Sequence, residues 1–129
     1  MTEIFHLSLP VSNLHDTQQF YEKFLGAKTG RVAEEWLDLW LFGVQITIQK
    51  QSRIVQSDKL EKFHLGATLP WSKWEDARLR LEKLGAEFVG APMIDEALGQ
   101  AKMYLKDPDG YIIELKAYEQ IQKTLRPPA

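Results

Sequence analysis

The sequence predicts an α+β fold made of two similar halves, and three observations lead there. "FHL" occurs at Phe5-His6-Leu7 and again at Phe63-His64-Leu65, in a chain with only three histidines. Each copy opens a longer parallel: "FHLSLPVSNLHDTQQFYEKFLGA" and "FHLGATLPWSKWEDARLRLEKLGA" both pass through a polar junction into a helix-like stretch ending Leu-Gly-Ala. His6 lies 19 residues before Leu25 and His64 lies 20 before Leu84, a match across a whole strand–helix unit that marks an internal repeat. Third, both helix-like stretches are followed by strand-like runs around a turn. "WLDLWLF" and "VQITIQK" flank Gly43, and "AKMYLK" and "YIIELKAY" flank "DPDG", Asp107 to Gly110.

Each element has a local reason. In the first strand Phe5, Leu7, Leu9 and Val11 alternate with His6, Ser8 and Pro10, the period of two that suits a half-buried strand. Its counterpart sets Phe63, Leu65, Ala67 and Leu69 against His64, Gly66 and Thr68. The first helix is expected to begin near Asn13, whose side chain caps free N–H groups, and to end at Gly26. Leu14, Thr17, Phe20, Tyr21 and Phe24 form its apolar stripe. The second helix has Ser72 three residues before Glu75, the spacing of a capping box. Trp74, Ala77, Leu81 and Leu84 form its buried face, and Gly85 stops it. Residues 88–98 are ambiguous and have room for one more strand. The organisation is one domain over 1–129: module one over about 3–50, a polar linker over about 51–62, module two over about 63–118, and a tail over 119–129 read as a loose helix or frayed end.

Composition narrows the function. Of 129 residues, 44% are apolar and 26% charged, with a net charge of -2 and no cluster of Lys and Arg, so nucleic acid is not an expected partner. The absence of cysteine excludes disulfides and thiolate metal sites and fits a cytoplasmic location. No stretch approaches the ~18 apolar residues of a spanning helix, so no membrane role is expected.

Facing then matters more than residue identity. With the apolar set on odd positions, His6 and His64 point to the face away from the helices, together with Ser8, Gly66 and Thr68. In the last strand Tyr111, Ile113, Leu115 and Ala117 make the apolar set, and Glu114 takes the opposite face beside Ile112 and Lys116. Any one of these residues alone reads as an ordinary solvated side chain. Jointly, two symmetric histidines and a carboxylate on the free face read as a metal site. His15, without a counterpart in the second half, reads as surface.

The paired FHL strands, the endings "FLGA" and "KLGA", and above all "YLKDPDGYIIELKAY" resemble the vicinal oxygen chelate superfamily, which includes glyoxalases, extradiol dioxygenases and the bleomycin and fosfomycin resistance proteins. The resemblance runs from about Ile4 to Tyr118. It implies two βαβββ modules forming a curved, half-open mixed sheet barrel with helices on the outer face. It further implies that His6, His64 and Glu114 hold a divalent ion (Fe, Mn, Ni or Zn), with Glu114 central to catalysis. Two imidazoles and a carboxylate leave open positions at which adjacent oxygens of a small-molecule substrate can chelate. A homodimer is expected, and the site is either within one chain or shared by two. The alternative is a metal-free binding or sequestering protein of the bleomycin-resistance type.

One departure from that family's pattern and two further features bear on the reaction. Aligning Gly43 with Gly110 puts Thr47 where Glu114 stands, flanked on its face by Gln45 and Gln49. Glyoxalases that use a fourth ligand carry an acid or amide there, and threonine is a poor substitute, so Gln45, Thr47 and Gln49 all remain candidates for that place. Tyr104 precedes "DPDG" on its strand and offers a phenol to substrate, although packing with the hydroxyl at water is the simpler reading. Trp36, Trp40 and Phe42 alternate with Leu37, Leu39 and Leu41, so one face packs the core and the other offers aromatic surface for a substrate, with Asp38 suggesting that part of it is wet. Gln49, Trp40 and Tyr104 are therefore the substrate-binding candidates.

Overall fold

The computed structural model of the chain describes residues 3–52 and 63–125. These divide into two compact units, one made of the N-terminal half with Asp107–Tyr111, the other of Phe63–Lys106 and the residues from Ile112 onward. Each unit has the strand, helix and three strands of a βαβββ module, so the α+β class holds.

In the first unit the order is β1 (His6–Val11), α1 (Leu14–Leu25), β2 (Lys28–Val32), β3 (Trp36–Leu41) and β4 (Val44–Lys50). The sheet runs β1-β4-β3-β2, with β1 parallel to β4 and the other pairs antiparallel. Leu9, Val11, Leu37, Leu39, Leu41, Ile46 and Ile48 are buried on one face, and α1 packs on β2, β3 and β4. The Asn13 side chain accepts from the Asp16 N–H at 2.9 Å, and Gly26 takes the left-handed conformation with φ 71°, which a residue with a Cβ adopts only at a cost. The buried line of α1 is Thr17, Tyr21 and Leu25, whereas Leu14, Phe20 and Phe24 are only half-buried. The stripe is thus rotated toward Leu25 from the one read in the sequence, following the i, i+4 line Thr17–Tyr21–Leu25.

The second unit holds β5 (His64–Leu69), α2 (Trp71–Lys83), β6 (Met93–Asp95), β7 (Gln100–Lys106), β8 (Ile112–Tyr118) and α3 (Ile121–Leu125). Its sheet runs β5-β8-β7-β6, with β5 parallel to β8. The ambiguous stretch 88–98 contains β6 and a bridge from Phe88 to Leu105, and the tail begins as the short helix α3. Trp74 and Leu81 of α2 are fully buried, and the Trp74 indole donates to the carbonyl of Leu115 at 2.8 Å. Burial of each such large side chain contributes about 1.5–3 kcal/mol.

Two expectations for α2 are corrected. Ser72 and Glu75 do not form a capping box: the helix starts at Trp71 behind Pro70, and no side chain caps it. Pro70, with φ -55° and ψ 146°, stands as the N-cap residue, which places Ser72 inside the first turn rather than at its mouth. Leu84 is 37% exposed rather than buried, because it is the last residue before Gly85 turns the chain at φ 76°. Ala77 is half-buried. Most of the expected linker, residues 53–62, lies outside the described residues. No described helix is long and apolar enough to cross a membrane.

The "DPDG" turn belongs to the first unit. Asp107 is buried, and its Oδ1 accepts from the N–H groups of Asp109 and Tyr111, both at 2.9 Å. The Asp109 carboxylate accepts from the Ser12 N–H at 3.1 and 3.2 Å. The Tyr111 hydroxyl, assigned to the apolar set in the sequence reading, donates to the carbonyl of Pro10 at 3.0 Å.

Candidate functional site

Strand register turns the face of each sheet away from its helix into a grid. On the first sheet His6, Gln45 and Trp40 form one row, Ser8, Thr47 and Asp38 the next, and Pro10, Gln49 and Trp36 the third. On the second sheet the corresponding rows are His64, Ile112 and Lys106; Gly66, Glu114 and Tyr104; and Thr68, Lys116 and Lys102. His6 and His64 therefore hold equivalent places, and Thr47 stands where Glu114 does, as the turn alignment implied.

The second sheet gathers two of the expected ligands. His64 Nε2 is 3.7 Å from Glu114 Oε1, with the Glu114 side chain 10% and the His64 side chain 51% exposed. Two ligands each about 2.1 Å from a common ion stand no more than ~4.2 Å apart, so this pair fits one ion. Gly66 allows the strand beside it to come this close, since any Cβ there would run into the Glu114 backbone. A hollow at this place is lined by His64, Gly66, Thr68, Glu114 and Lys116. Met103 and Leu105 are buried in the core, which turns Tyr104 toward Glu114. The Tyr104 hydroxyl hydrogen-bonds the carboxylate rather than only meeting water, and that bond, with burial and the nearby charge, pushes the phenol up to about 12.

His6 is exposed at the edge of the other unit's grid. Among the described residues no three His, Asp or Glu side chains gather closely enough to hold an ion together. The structure thus brings His64, Glu114 and Tyr104 together and places His6 at the matching position of the repeat.

The first sheet carries a different network, which the sequence reading missed. Asp38 is 1% exposed, not wet. Its Oδ2 accepts from Arg31 Nε at 2.6 Å and its Oδ1 from the Thr47 hydroxyl at 2.7 Å, with Gln45 as a further donor. The Arg31 bond leads in holding the Asp38 carboxyl below its usual range, and burial opposes it. Thr47 and Gln45 are thus committed to Asp38, and Gln49 donates to the Ser8 hydroxyl at 2.6 Å. Trp40 is 37% and Phe42 43% exposed, so aromatic surface is available in the row that holds His6. The signal for the network was the acid itself: a carboxylate between two tryptophans in a strand needs buried donors.

Comparison with known proteins agrees with this architecture. A family model described as Glyoxalase/Bleomycin resistance protein/Dioxygenase superfamily matches residues 3–115. No curated protein matches the sequence. Among solved structures, a glyoxalase/bleomycin resistance protein/dioxygenase from Alicyclobacillus acidocaldarius has a TM-score of 0.75 at 23% identity, covering 90% of this chain and 91% of its own. The fosfomycin resistance protein FosX from Listeria monocytogenes has a TM-score of 0.74 at 18% identity, covering 91% and 93%. A glutamate-to-glutamine mutant of the same FosX, complexed with Mn(II) and 1S,2S-dihydroxypropylphosphonic acid, has a TM-score of 0.75 at 17% identity, covering 98% and 99%. At these identities the structures share the fold, and the family match over most of the sequence decides membership. The chain belongs to the glyoxalase/bleomycin resistance protein/dioxygenase superfamily.

Proposed function

We propose that the protein is a metal-dependent vicinal oxygen chelate enzyme acting on a small molecule that binds through adjacent oxygens, with His6, His64 and Glu114 as ligands of a divalent Fe, Mn, Ni or Zn ion. The observation that carries this reading is the His64–Glu114 pair at 3.7 Å on an open face, with His6 at the equivalent register position of the duplicated sheet. The donor chemistry suits such an ion: neutral imidazoles and a carboxylate leave positive charge and vacant positions. The ion would supply Lewis-acid polarisation of the substrate oxygens. The chain's own residues do the rest. Tyr104 holds the Glu114 carboxylate in orientation, Gly66 lets the strand that carries Glu114 approach closely, and the hollow beside His64 gives the substrate its place. A lyase or dioxygenase reaction fits this donor set, and a cytoplasmic homodimer is the setting we propose.

Metal analysis of protein purified without added ions tests the proposal. The expected result is stoichiometric Fe, Mn, Ni or Zn, lost in His64→Ala and in Glu114→Gln. Mixing His6→Ala with His64→Ala protein regains metal in mixed dimers if two copies share the site, and regains none if each chain supplies all three ligands. Wild-type protein that takes up none of the four ions overturns the proposal.

One observation favours the sequestering alternative: Trp40 and Phe42 expose aromatic surface. In that case aromatic ligands quench tryptophan fluorescence equally in wild type and His64→Ala.

A further inference from the structure

We propose that Arg31 is an oxyanion-binding residue, presented on the His6 face of the first sheet to take a carboxylate or phosphate group of the substrate. The term substrate rests on the function proposed above; the anion site itself rests on how Arg31 is held.

Four features converge on that one side chain. Thr29 points toward the helix, where its hydroxyl donates to Glu22 at 2.6 Å and accepts from Gln18 at 2.8 Å. Plain alternation would send Arg31 the same way. The β2–β3 register instead shifts between Thr29 and Val32, and a bulge of this kind re-aims a side chain. Arg31 thereby reaches Asp38 on the opposite face. Gly30 leaves room for the Trp40 ring beside the bulge, since a Cβ there would lie 2.8 Å from the Trp40 Nε1. The guanidinium then lies 5.0 Å from the centre of the Trp36 ring, a stacking that suits its flat, weakly hydrated surface.

The asymmetry of the ion pair points to a ligand. Asp38 is buried and costly to desolvate, whereas the Arg31 side chain is 68% exposed. Burying the guanidinium as well would add its own desolvation penalty, so its exposure leaves a full charge facing solvent where a ligand can reach it. Here the acid is spent within the sheet, held also by Thr47 and Gln45, and the guanidinium is left outside. Only Nε is engaged by Asp38. Among the described residues Nη1 and Nη2 have no hydrogen-bond partner, and this outer fork matches two oxygens of a carboxylate or phosphate. From strand spacings, Asp38 is two strands across and two residues along from His6, about 12 Å. A substrate using both places carries its anionic group several atoms away from its metal-binding oxygens.

The test titrates inorganic phosphate into the full-length protein, dialysed free of metal, with calorimetry and the Arg31 Nε–Hε NMR signal as readouts. Arg31→Met is expected to weaken binding at least tenfold. Arg31→Lys should fall between, since lysine keeps the charge and loses the fork, and it carries the test if Arg31→Met fails to fold. Lys28→Met, which removes an exposed cation from the same strand, should change affinity less than twofold. Equal losses in the Arg31 and Lys28 variants would mean that phosphate senses net charge, and would overturn the assignment. Unchanged binding in Arg31→Met would overturn it too. Metal content is measured in parallel: Arg31-dependent phosphate binding without metal uptake sinks only the metal proposal, and metal uptake with Arg31-independent phosphate binding sinks only this one.

Discussion

The hydroxyl of Tyr21, on the buried face of α1, donates a 2.9 Å hydrogen bond to Oδ2 of Asp107, a residue 86 positions later in the chain. Both oxygens of Asp107 are thereby engaged, with the Asp109 and Tyr111 N–H groups on Oδ1. Tyr21→Phe removes the only bond to Oδ2 among the described residues and is expected to cost about 1–3 kcal/mol, the usual penalty for leaving a buried acceptor unpaired. Burial raises the Asp107 pKa above its ordinary 3.8, outweighing the bonds that favour the charged form. The folded state then holds a proton that the unfolded chain has lost, so stability falls as pH rises from 3.8 through the folded pKa. Asp107→Asn keeps the acceptor and removes that dependence. Urea midpoints at pH 4 and pH 7 should show the mutant gaining on wild type as pH rises; an equal difference at both would refute the assignment.

Asp38 has the opposite sign. Its pKa is depressed, chiefly by Arg31, so its contribution is present above 3.8 and is lost as pH falls through the folded value. Wild type and Asp38→Asn should differ by a constant amount above pH 3.8 and converge as pH falls from 3.8 through the folded value. Thr47→Val leaves Oδ1 without its 2.7 Å donor and is expected to cost about 1–3 kcal/mol in urea denaturation.

Gly66→Ala is expected to disturb the β5–β8 pairing itself, because the new Cβ meets the Glu114 backbone rather than a side chain that can swing away. Overpacking of this kind costs typically 1–3 kcal/mol. The strand carrying Glu114 must move, so bound metal should be lost along with stability. A Gly66→Ala protein of wild-type stability and metal content would show that the close approach does not matter.

Tyr104→Phe removes a hydrogen bond to Glu114 while keeping the ring. Partners of metal ligands typically contribute 10–100-fold in affinity, so a loss of roughly tenfold in Mn(II) or Zn(II) binding is expected, with little change in the melting curve. Unchanged affinity would leave Tyr104 as packing alone.

Much of this was readable in the residues. Alternation put His6, His64 and Glu114 on the free faces, and the Gly43–Gly110 alignment placed Thr47 opposite Glu114, because period-two facing and turn spacing are local properties. Asn13 and Gly26 were readable for the same reason. Asp38 was misjudged because its partner reaches it through a bulge, and a bulge breaks the alternation on which the reading depended. The capping box failed because Pro70 starts its helix one residue before the serine that matched the motif. The contacts of Asp107, Asp109 and Tyr111 with Tyr21, Ser12 and Pro10 span 86 to 101 residues, and no short-range pattern encodes a separation of that size.

Because Asp107–Tyr111 completes the first unit, that unit is discontinuous along the gene. A fragment ending at residue 52 would lack the acceptors for the Tyr21 hydroxyl and the Ser12 amide, and its Pro10 carbonyl would lose a donor. Half-length expression is therefore expected to yield an aggregating or unfolded product, and a circular permutant opened between 107 and 111 should be poorly tolerated.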